Sequence, residues 1–256
     1  MSNQNLTPVV SVVMPAHNSE ATIATAISSV LRQSHKGWNL IICDDFSSDG
    51  TLQIAQQFAQ MDSRISLISL NQRGGPGRAR NAAIRAATGR WLAFLDSDDL
   101  WEPEKLEASL AHALERDSTL VFTAYTRLKH STGDLGRTIR VKPSVTYRQL
   151  LSSNVIATST VILDRSKVPL VEMREDVFFD DFVLWLELLK KGGTADGLDR
   201  PLTFYGISDQ SFSHDKIEAA RHVWKIYRQV EGLPLSNALG HFFRYSIRGI
   251  LKHLRR

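Results

Sequence analysis

The sequence predicts an α/β fold with a mixed, mainly parallel sheet flanked by helices, followed by a helical C-terminal extension. Three observations predict it. Short apolar runs alternate with helix-period segments through the first hundred residues, polar clusters follow each apolar run, and the regular alternation gives way near residue 120 before the chain closes in a basic amphipathic stretch. Alternating strands and helices require crossover connections, and crossovers make neighbouring strands parallel. At 256 residues, with 43% hydrophobic and 23% charged, the chain has material for one such domain with additions, and disorder is not indicated.

Taken in order, Val9 to Met14 reads as the first strand and Ala21 to Gln33 as the first helix. Ser19 stands where a side chain would cap that helix, and Ile23, Ile27, Val30 and Leu31 form the stripe that would face the sheet. Asn39 to Cys43 predicts a strand, Leu52 to Met61 a helix, Ile65 to Leu70 a strand, and the region near Ala79 to Ala87 a helix before the strand starting at Trp91. After Pro103 a helix is expected over Lys105 to Glu115, with Leu106 and Leu110 on one face. Leu120 to Leu128 then reads as a strand and Ser131 to Gly136 as a polar turn. From Leu120 to Asp164 the looser pattern predicts mixed or antiparallel strands, with a short helix near Leu150, built against the sheet edge. Phe178 to Lys191 is an amphipathic segment with Leu184, Leu188 and Leu189 expected inside and Gly192-Gly193 ending it. Further helices are expected around Ile217 to Val230 and from beyond Pro234 to the end.

The lone cysteine, Cys43, lies in an apolar run, which excludes an intrachain disulfide and predicts a buried structural thiol. The polar start MSNQNLTP lacks the charged-then-apolar order of a signal peptide, and no stretch nears the roughly eighteen apolar residues that span a bilayer. A cytoplasmic, reducing location is the expectation. The net charge of +4 is unevenly placed: the last sixteen residues carry Arg244, Arg248, Lys252, Arg255 and Arg256 and no acid. Clustering at an amphipathic terminus, away from any aromatic-studded sheet or groove, argues against nucleic acid as the partner.

In open parallel sheets ligands bind beyond the carboxyl ends of the strands, so the polar clusters there are the candidate site. Pro15-Ala16-His17-Asn18 follows the first strand, Asp44 to Gly50 the second, Asn71 to Asn81 the third, and Asp96, Ser97, Asp98 and Asp99 the fourth. Three carboxylates within four positions repel one another and call for a cation, and hard oxygen ligands favour Mg²⁺ or Mn²⁺. The alternative is a solvated turn in which Asp99 caps the next helix. Gly74 to Gly77 permits a tight backbone path beside Arg78 and Arg80, which face different ways on a helix and would not both reach one phosphate. No Gly-Lys-Ser/Thr follows, so this is not a Walker loop. Asp180 and Asp181 open a helix, where negative charge is favoured, so they are either simple caps or a general base with its support.

Five segments in this order, VSVVMPAHN at Val10, DDFSSDGT at Asp44, GRARN at Gly77, LDSDDLWEPEKL at Leu95 and FDDFVLWLELL at Phe179, closely resemble the inverting nucleotide-sugar glycosyltransferases of family 2. The resemblance covers roughly Val9 to Ser213. It implies a GT-A (Rossmann-like) catalytic domain over residues 1–213, with a nucleotide-binding half at 1–100 and an acceptor-binding half at 101–213, before an amphipathic, basic helical extension at 214–256. It implies that Pro15, Ala16, His17, Asn18 and Glu20 line the nucleotide pocket. Asp45 would accept a hydrogen bond from the base, normally uracil, while Asp44 would hold the loop. By the same resemblance Arg80 meets the diphosphate, Asp96 and Ser97 meet the donor's hydroxyls, and Asp98 ligates Mn²⁺ or Mg²⁺, assisted by Asp99. Asp181 is then the base, with Asp180 and Trp185 supporting it or holding the acceptor; Trp185 would either stack on a sugar or pack in the core.

Two departures stand out. Asp180-Asp181 replaces the usual Glu-Asp, and Tyr205-Gly206-Ile207 before Ser211-Phe212-Ser213 replaces Tyr-Arg before paired serines. Gly206 removes a phosphate-facing cation, which leaves open whether Arg221 compensates; His214 lies nearby, either in the site or on the surface.

The implied partners are a nucleotide-sugar donor, UDP-linked, and a glycan acceptor on polyprenyl diphosphate in bacterial surface polysaccharide synthesis. In the last helix Phe243, Ile247, Ile250, Leu251 and Leu254 share a face flanked by bases. That face suits a peripheral site on the inner face of the cell membrane, or else docking on the catalytic domain or on a second copy in a homo-oligomer. Two rival functions are a sugar-nucleotide nucleotidyltransferase, disfavoured because no glycine-rich basic loop follows the first strand, and a non-catalytic sugar-nucleotide-binding component of an assembly complex.

Overall fold

A computed structural model of the chain describes residues 10–168, 170–207 and 216–254, with side chains in the last span described from 218 to 247. The Ser211-Phe212-Ser213 and His214 positions, the side chains of Ile250, Leu251 and Leu254, and the basic residues after Arg244 lie outside the described residues.

The first half alternates as expected: β1 (Val10–Ala16), α1 (Ile23–Leu31), β2 (Trp38–Asp44), α2 (Thr51–Met61), β3 (Ile65–Ser69), α3 (Pro76–Ala86) and β4 (Trp91–Phe94). The second half adds β5 (Leu100–Trp101), α4 (Lys105–Glu115), β6 (Leu120–Lys129), β7 (Asp134–Ile139), β8 (Ser144–Thr146), α5 (Tyr147–Leu151), β9 (Val161–Asp164), α6 (Asp180–Leu189), β10 (Thr194–Ile207), α7 (Lys216–Lys225) and α8 (Leu235–Leu254). One sheet runs β3-β2-β1-β4-β9-β6-β10-β5, with β7 on β6 and β8 on β10. β3, β2, β1 and β4 are mutually parallel, whereas β9 is antiparallel to both β4 and β6. The antiparallel β9 joins the nucleotide-type half to the irregular half, as the loosened pattern after Leu120 foretold.

Every residue of β1 is buried, as befits a strand covered on both faces. Its side chains alternate between two cores. Val10, Val12 and Met14 meet Ile23, Ile27 and Val30 of α1 and Leu106 and Leu110 of α4, while Val13 points to the opposite core with Ala79 and Ala83 of α3 and Phe182 and Trp185 of α6. Cys43 is buried there too; desolvation, then the charges of Asp45 and Asp44, push its thiol up to about 12, so it is an inert packing group.

Local differences have physical causes. Ser19 does not cap α1 through its side chain: its carbonyl accepts from the Thr22 and Ile23 amides, while its hydroxyl pairs with that of Ser97 at 2.7 Å. α3 begins at Pro76, earlier than expected, because Gly75 takes φ of 84° and proline is preset for the first helical turn. The 14-residue β10 escapes prediction because glycine, two aspartates and Pro201 interrupt it, and its register with β6 slips around Pro201.

The C-terminal helices share the catalytic core. Val223, Ile226, Tyr227 and Ala238 are buried with it, Phe242 and Tyr245 pack on it, and the Tyr147 hydroxyl donates to Glu231 at 2.5 Å. Tyr227 donates to the Leu151 carbonyl, and Ser152 pairs with His241 at 3.0 Å. The other face of α8 exposes Leu235 (56%), Leu239 (52%), Phe243 (68%) and Ile247 (39%), a stripe with a four-residue repeat. Among the described residues no helix is long and apolar enough to cross a membrane.

Trp185 is completely buried and meets Phe94 edge-on, with centroids 5.6 Å apart. Trp185→Ala is expected to lower the unfolding free energy by about 3–5 kcal/mol in urea titrations; a loss below about 1 kcal/mol would show that α6 is not keyed to the sheet through this ring.

Candidate active site

A cleft of about 490 Å³ opens where β1, β2, β3 and β4 end, and Pro15, Ala16, His17, Asn18, Asp45, Arg80, Asp96, Ser97 and Asp98 all line it. Ser19, expected only as a helix cap, and Gly75 of the glycine loop also line it, as do Arg73 and His130, which the sequence did not single out. Glu20, Asp180, Asp181 and Trp185 are not on that lining. The Glu20 carboxylate accepts from the Gly50 amide at 2.9 Å and so shapes the turn before α2.

The first two loops are laced together by polar side chains. His17 Nδ1 donates to the Asp45 carbonyl at 2.8 Å, since a carbonyl can only accept. Asn18, at φ of 48°, accepts from the Ser48 amide at 2.9 Å. Asp44 accepts from the Ser47 amide at 3.1 Å, which is the loop-holding role expected of it. Asp45 takes the amides of Gly74 and Gly75 at 2.6 and 2.7 Å, one on each oxygen. That pair fixes the glycine loop at the cleft wall, and each oxygen keeps a further lone pair for another donor.

Arg80 lines the cleft with its charge already paired. Its guanidinium is buried, donating to Asp96 at 2.7 Å and to both oxygens of Asp180 at 3.1 and 3.3 Å. Burial would lower its pKa, but the charges of Asp96 and Asp180 outweigh that and raise it, so the cation is permanent. A guanidinium paired with two carboxylates joins α6 to the aspartate loop at the wall of the cleft. Arg73 is a second cation on the cleft lining, and it is exposed. Arg221 is exposed on α7 and is not among the residues that line the cleft.

The aspartate loop is pinned by neutral groups. Ser159 accepts from the Asp96 amide at 3.0 Å, and Ser97 meets Ser19. Asp99 does not cap a helix: it is buried and accepts from the Gly206 amide at 2.7 Å. Burial, then Asp98 and Asp96, raise its pKa well above the carboxylate range. Asp98 presents an exposed side chain to the cleft, and its pKa is raised by the enclosing protein and by Asp96. Among the described residues no group of three or more metal-ligating side chains forms a site by itself. The donor set nevertheless fits Mn²⁺ or Mg²⁺: one open carboxylate crowded by a second negative charge suits a cation whose remaining ligands are substrate phosphates and water.

Across the Arg80 bridge, Asp180 is buried against Gly77, where an added Cβ would lie 2.9 Å from its Oδ2; only glycine allows that approach. Asp181 accepts from the Thr158 hydroxyl and from the Phe182 amide, each at 2.6 Å. Burial first, and then the charge of Asp180, raise its pKa from 3.8 to about 6. A carboxylate with that affinity for protons is suited to general base work near neutrality. Trp185, four residues on, lies wholly in the core, so it supports α6 and offers no face to an acceptor. Thr158 and Ser159, on the 3-10 turn Thr158–Thr160, were missed; a hydroxyl cluster before an apolar run was the available signal.

The family model for glycosyl transferase family 2 matches residues 11–165. The chain belongs to glycosyltransferase family 2. This glycosyltransferase is 38% identical to TuaG of Bacillus subtilis (strain 168), over 98% of this chain and 99% of the relative, whose name provisionally assigns it to teichuronic acid biosynthesis. It is 33% identical, over 96% and 95% of the two chains, to WfgD of Escherichia coli, named a UDP-Glc:α-D-GlcNAc-diphosphoundecaprenol β-1,3-glucosyltransferase. Among solved structures, a mannosyltransferase of Pyrobaculum calidifontis in complex with GDP-Man and Mn²⁺ superposes with a TM-score of 0.71 at 16% identity, over 96% of this chain and 76% of that one. The fold is therefore GT-A, as the resemblance implied.

If Asp181 acts as base, the rate falls as pH drops through about 6 and the carboxylate protonates. Thr158→Val removes a hydrogen bond that favours the ionised form, so the acidic limb of the kcat/KM profile is expected to move upward by roughly one pH unit. An unmoved limb would uncouple Thr158 from the titrating group.

Proposed function

We propose that this glycosyltransferase is a metal-dependent, inverting enzyme that transfers a hexose or N-acetylhexosamine from a UDP-sugar to a hydroxyl of a polyprenyl-diphosphate-linked glycan in bacterial surface polysaccharide synthesis. The observation that carries the reading is the Arg80 bridge, because it gathers the donor-side Asp96 and the base-side Asp180-Asp181 pair into one cluster. Asp45 and the Pro15 to Asn18 loop bind the nucleoside, Asp96 and Ser97 orient donor hydroxyls, and Arg73 meets the diphosphate. Asp98, beside Asp96, would hold Mn²⁺ or Mg²⁺, which when bound supplies positive charge against the negative charge growing on the departing diphosphate. Asp181 takes the proton from the acceptor hydroxyl as that oxygen attacks the anomeric carbon opposite the leaving group, so one displacement inverts the configuration. The activity of WfgD on a diphosphoundecaprenol-linked acceptor supports the acceptor class.

The exposed stripe of α8 supports peripheral attachment to the inner membrane face. Its inner side is docked on the catalytic core, which leaves Leu239 and Phe243 outward with Arg244 beside them. Such a helix can lie in the lipid interface while the cleft stays in water.

UDP release from a panel of UDP-sugars, with Mn²⁺ and a lipid-linked acceptor, tests the chemistry. Asp98→Asn and Asp181→Asn are each expected to lose at least about 100-fold in turnover, with UDP binding kept in the second. EDTA should abolish turnover and added Mn²⁺ restore it. Near-normal turnover in either variant refutes its role. For the membrane, Leu239→Glu/Phe243→Glu is expected to abolish flotation with anionic vesicles while leaving the melting temperature unchanged; full flotation by that variant removes the attachment.

A further inference from the structure

Gly206 and His130 occupy one small space beside the aspartate loop. β10 passes between β5 and β6: Phe204 pairs with Leu100, antiparallel, and Gly206 pairs with Leu128, parallel. This brings Gly206 opposite the Asp98-Asp99 segment on one side and beside the first residue after β6, His130, on the other. The Gly206 amide donates to Asp99 at 2.7 Å. A Cβ added at Gly206 would collide with both the Asp98 carbonyl oxygen and His130 Nε2. Those two atoms meet each other at 2.5 Å. Because a carbonyl only accepts, Nε2 must carry the proton and donate. His130 is half-buried and lines the same cleft as Asp98, though it comes from the acceptor-side half of the sheet.

We propose that His130 is a positioning residue for donor binding: from the β6–β7 turn its imidazole clamps the Asp98 main chain and sets how the Asp98 carboxylate meets a nucleoside diphosphate and its divalent cation, in space that only a glycine at 206 leaves open. The proposal rests on the donor-site reading above. Asp98 has an exposed side chain in the turn of the five-residue link, Leu95 to Asp99, between β4 and β5, so its carboxylate direction depends on a main chain held from two sides. Asp99 to Gly206 supplies one hold and His130 the other. Losing the second lets the carbonyl rotate and scatters the carboxylate, which costs affinity for the diphosphate-bound cation more than it costs fold stability, since no core side chain is removed.

Titration calorimetry of UDP into the full-length protein, at a series of Mn²⁺ concentrations, tests this with wild type, His130→Ala and His130→Gln. Loss of one hydrogen bond of this kind corresponds to about tenfold in affinity. The alanine variant is therefore expected to bind UDP with Mn²⁺ about tenfold more weakly, to need more Mn²⁺ for half-saturation, and to keep its melting temperature. Glutamine, whose amide can still donate to the Asp98 carbonyl, should recover most of the affinity. In turnover assays the alanine change should appear in the donor KM more than in kcat. Equal UDP affinity and Mn²⁺ requirement in wild type and His130→Ala overturns the proposal alone. A lower melting temperature with unchanged Mn²⁺ requirement makes the role structural and also overturns it. Failure of the wild type itself to bind UDP with Mn²⁺ overturns both this proposal and the donor-site reading beneath it.

Discussion

One buried cation organises the candidate site. Arg80 reaches Asp96 at 2.7 Å and Asp180 at 3.1 Å, and through them it ties the loop after β4 to the first turn of α6. A buried guanidinium with two carboxylates is stable only while all three are present; removing one leaves an uncompensated charge in a poorly solvated place, which costs about 3–5 kcal/mol. The bridge is therefore as much a constraint on the relative position of the two halves as a source of stability. It also explains why Gly77, on the same helix as Arg80, must lack a side chain: Asp180 has to come close enough to be reached.

The same bridge sets the electrostatics around it. Asp96 and Asp180 pair with Arg80 directly, and its charge also acts to lower the pKa of Asp98 and Asp181. Burial outweighs it at Asp181, which rises to about 6, and Asp99, buried beside Asp98 and Asp96, is raised strongly. Asp98, exposed on the cleft lining, is raised by the enclosing protein and by the charge of Asp96. Crowded carboxylates are costly to the fold, and clustering that cost at one spot is characteristic of a functional site.

The C-terminal helices extend the same economy of surfaces. α8 uses Ala238, Phe242 and Tyr245 to join the core and leaves Leu235, Leu239, Phe243 and Ile247 outside. Docking on the catalytic body and presenting an apolar face are thus properties of one helix, on opposite sides of it. The sequence offered them as alternatives because a stripe of apolar residues does not say what it faces.

By itself the sequence determined the alternating first half and pointed to most of the residues that line the cleft at the strand ends. Those features depend on local periodicity and on short motifs whose residues are neighbours in the chain. Tertiary structure decided what each side chain is engaged with: that Arg80 holds carboxylates, that Glu20 serves a turn, that Trp185 belongs to the core, and that Ser19, Arg73, His130, Thr158 and Ser159 join the site. β10 was hidden for the same reason, since its glycine, aspartates and proline read locally as loop while pairing with β6, β8 and β5 makes it a strand. Hydrogen bonds and ion pairs between residues a hundred positions apart, such as Arg80 with Asp180, have no local signature, because their energy is realised only when the fold has already brought the partners together.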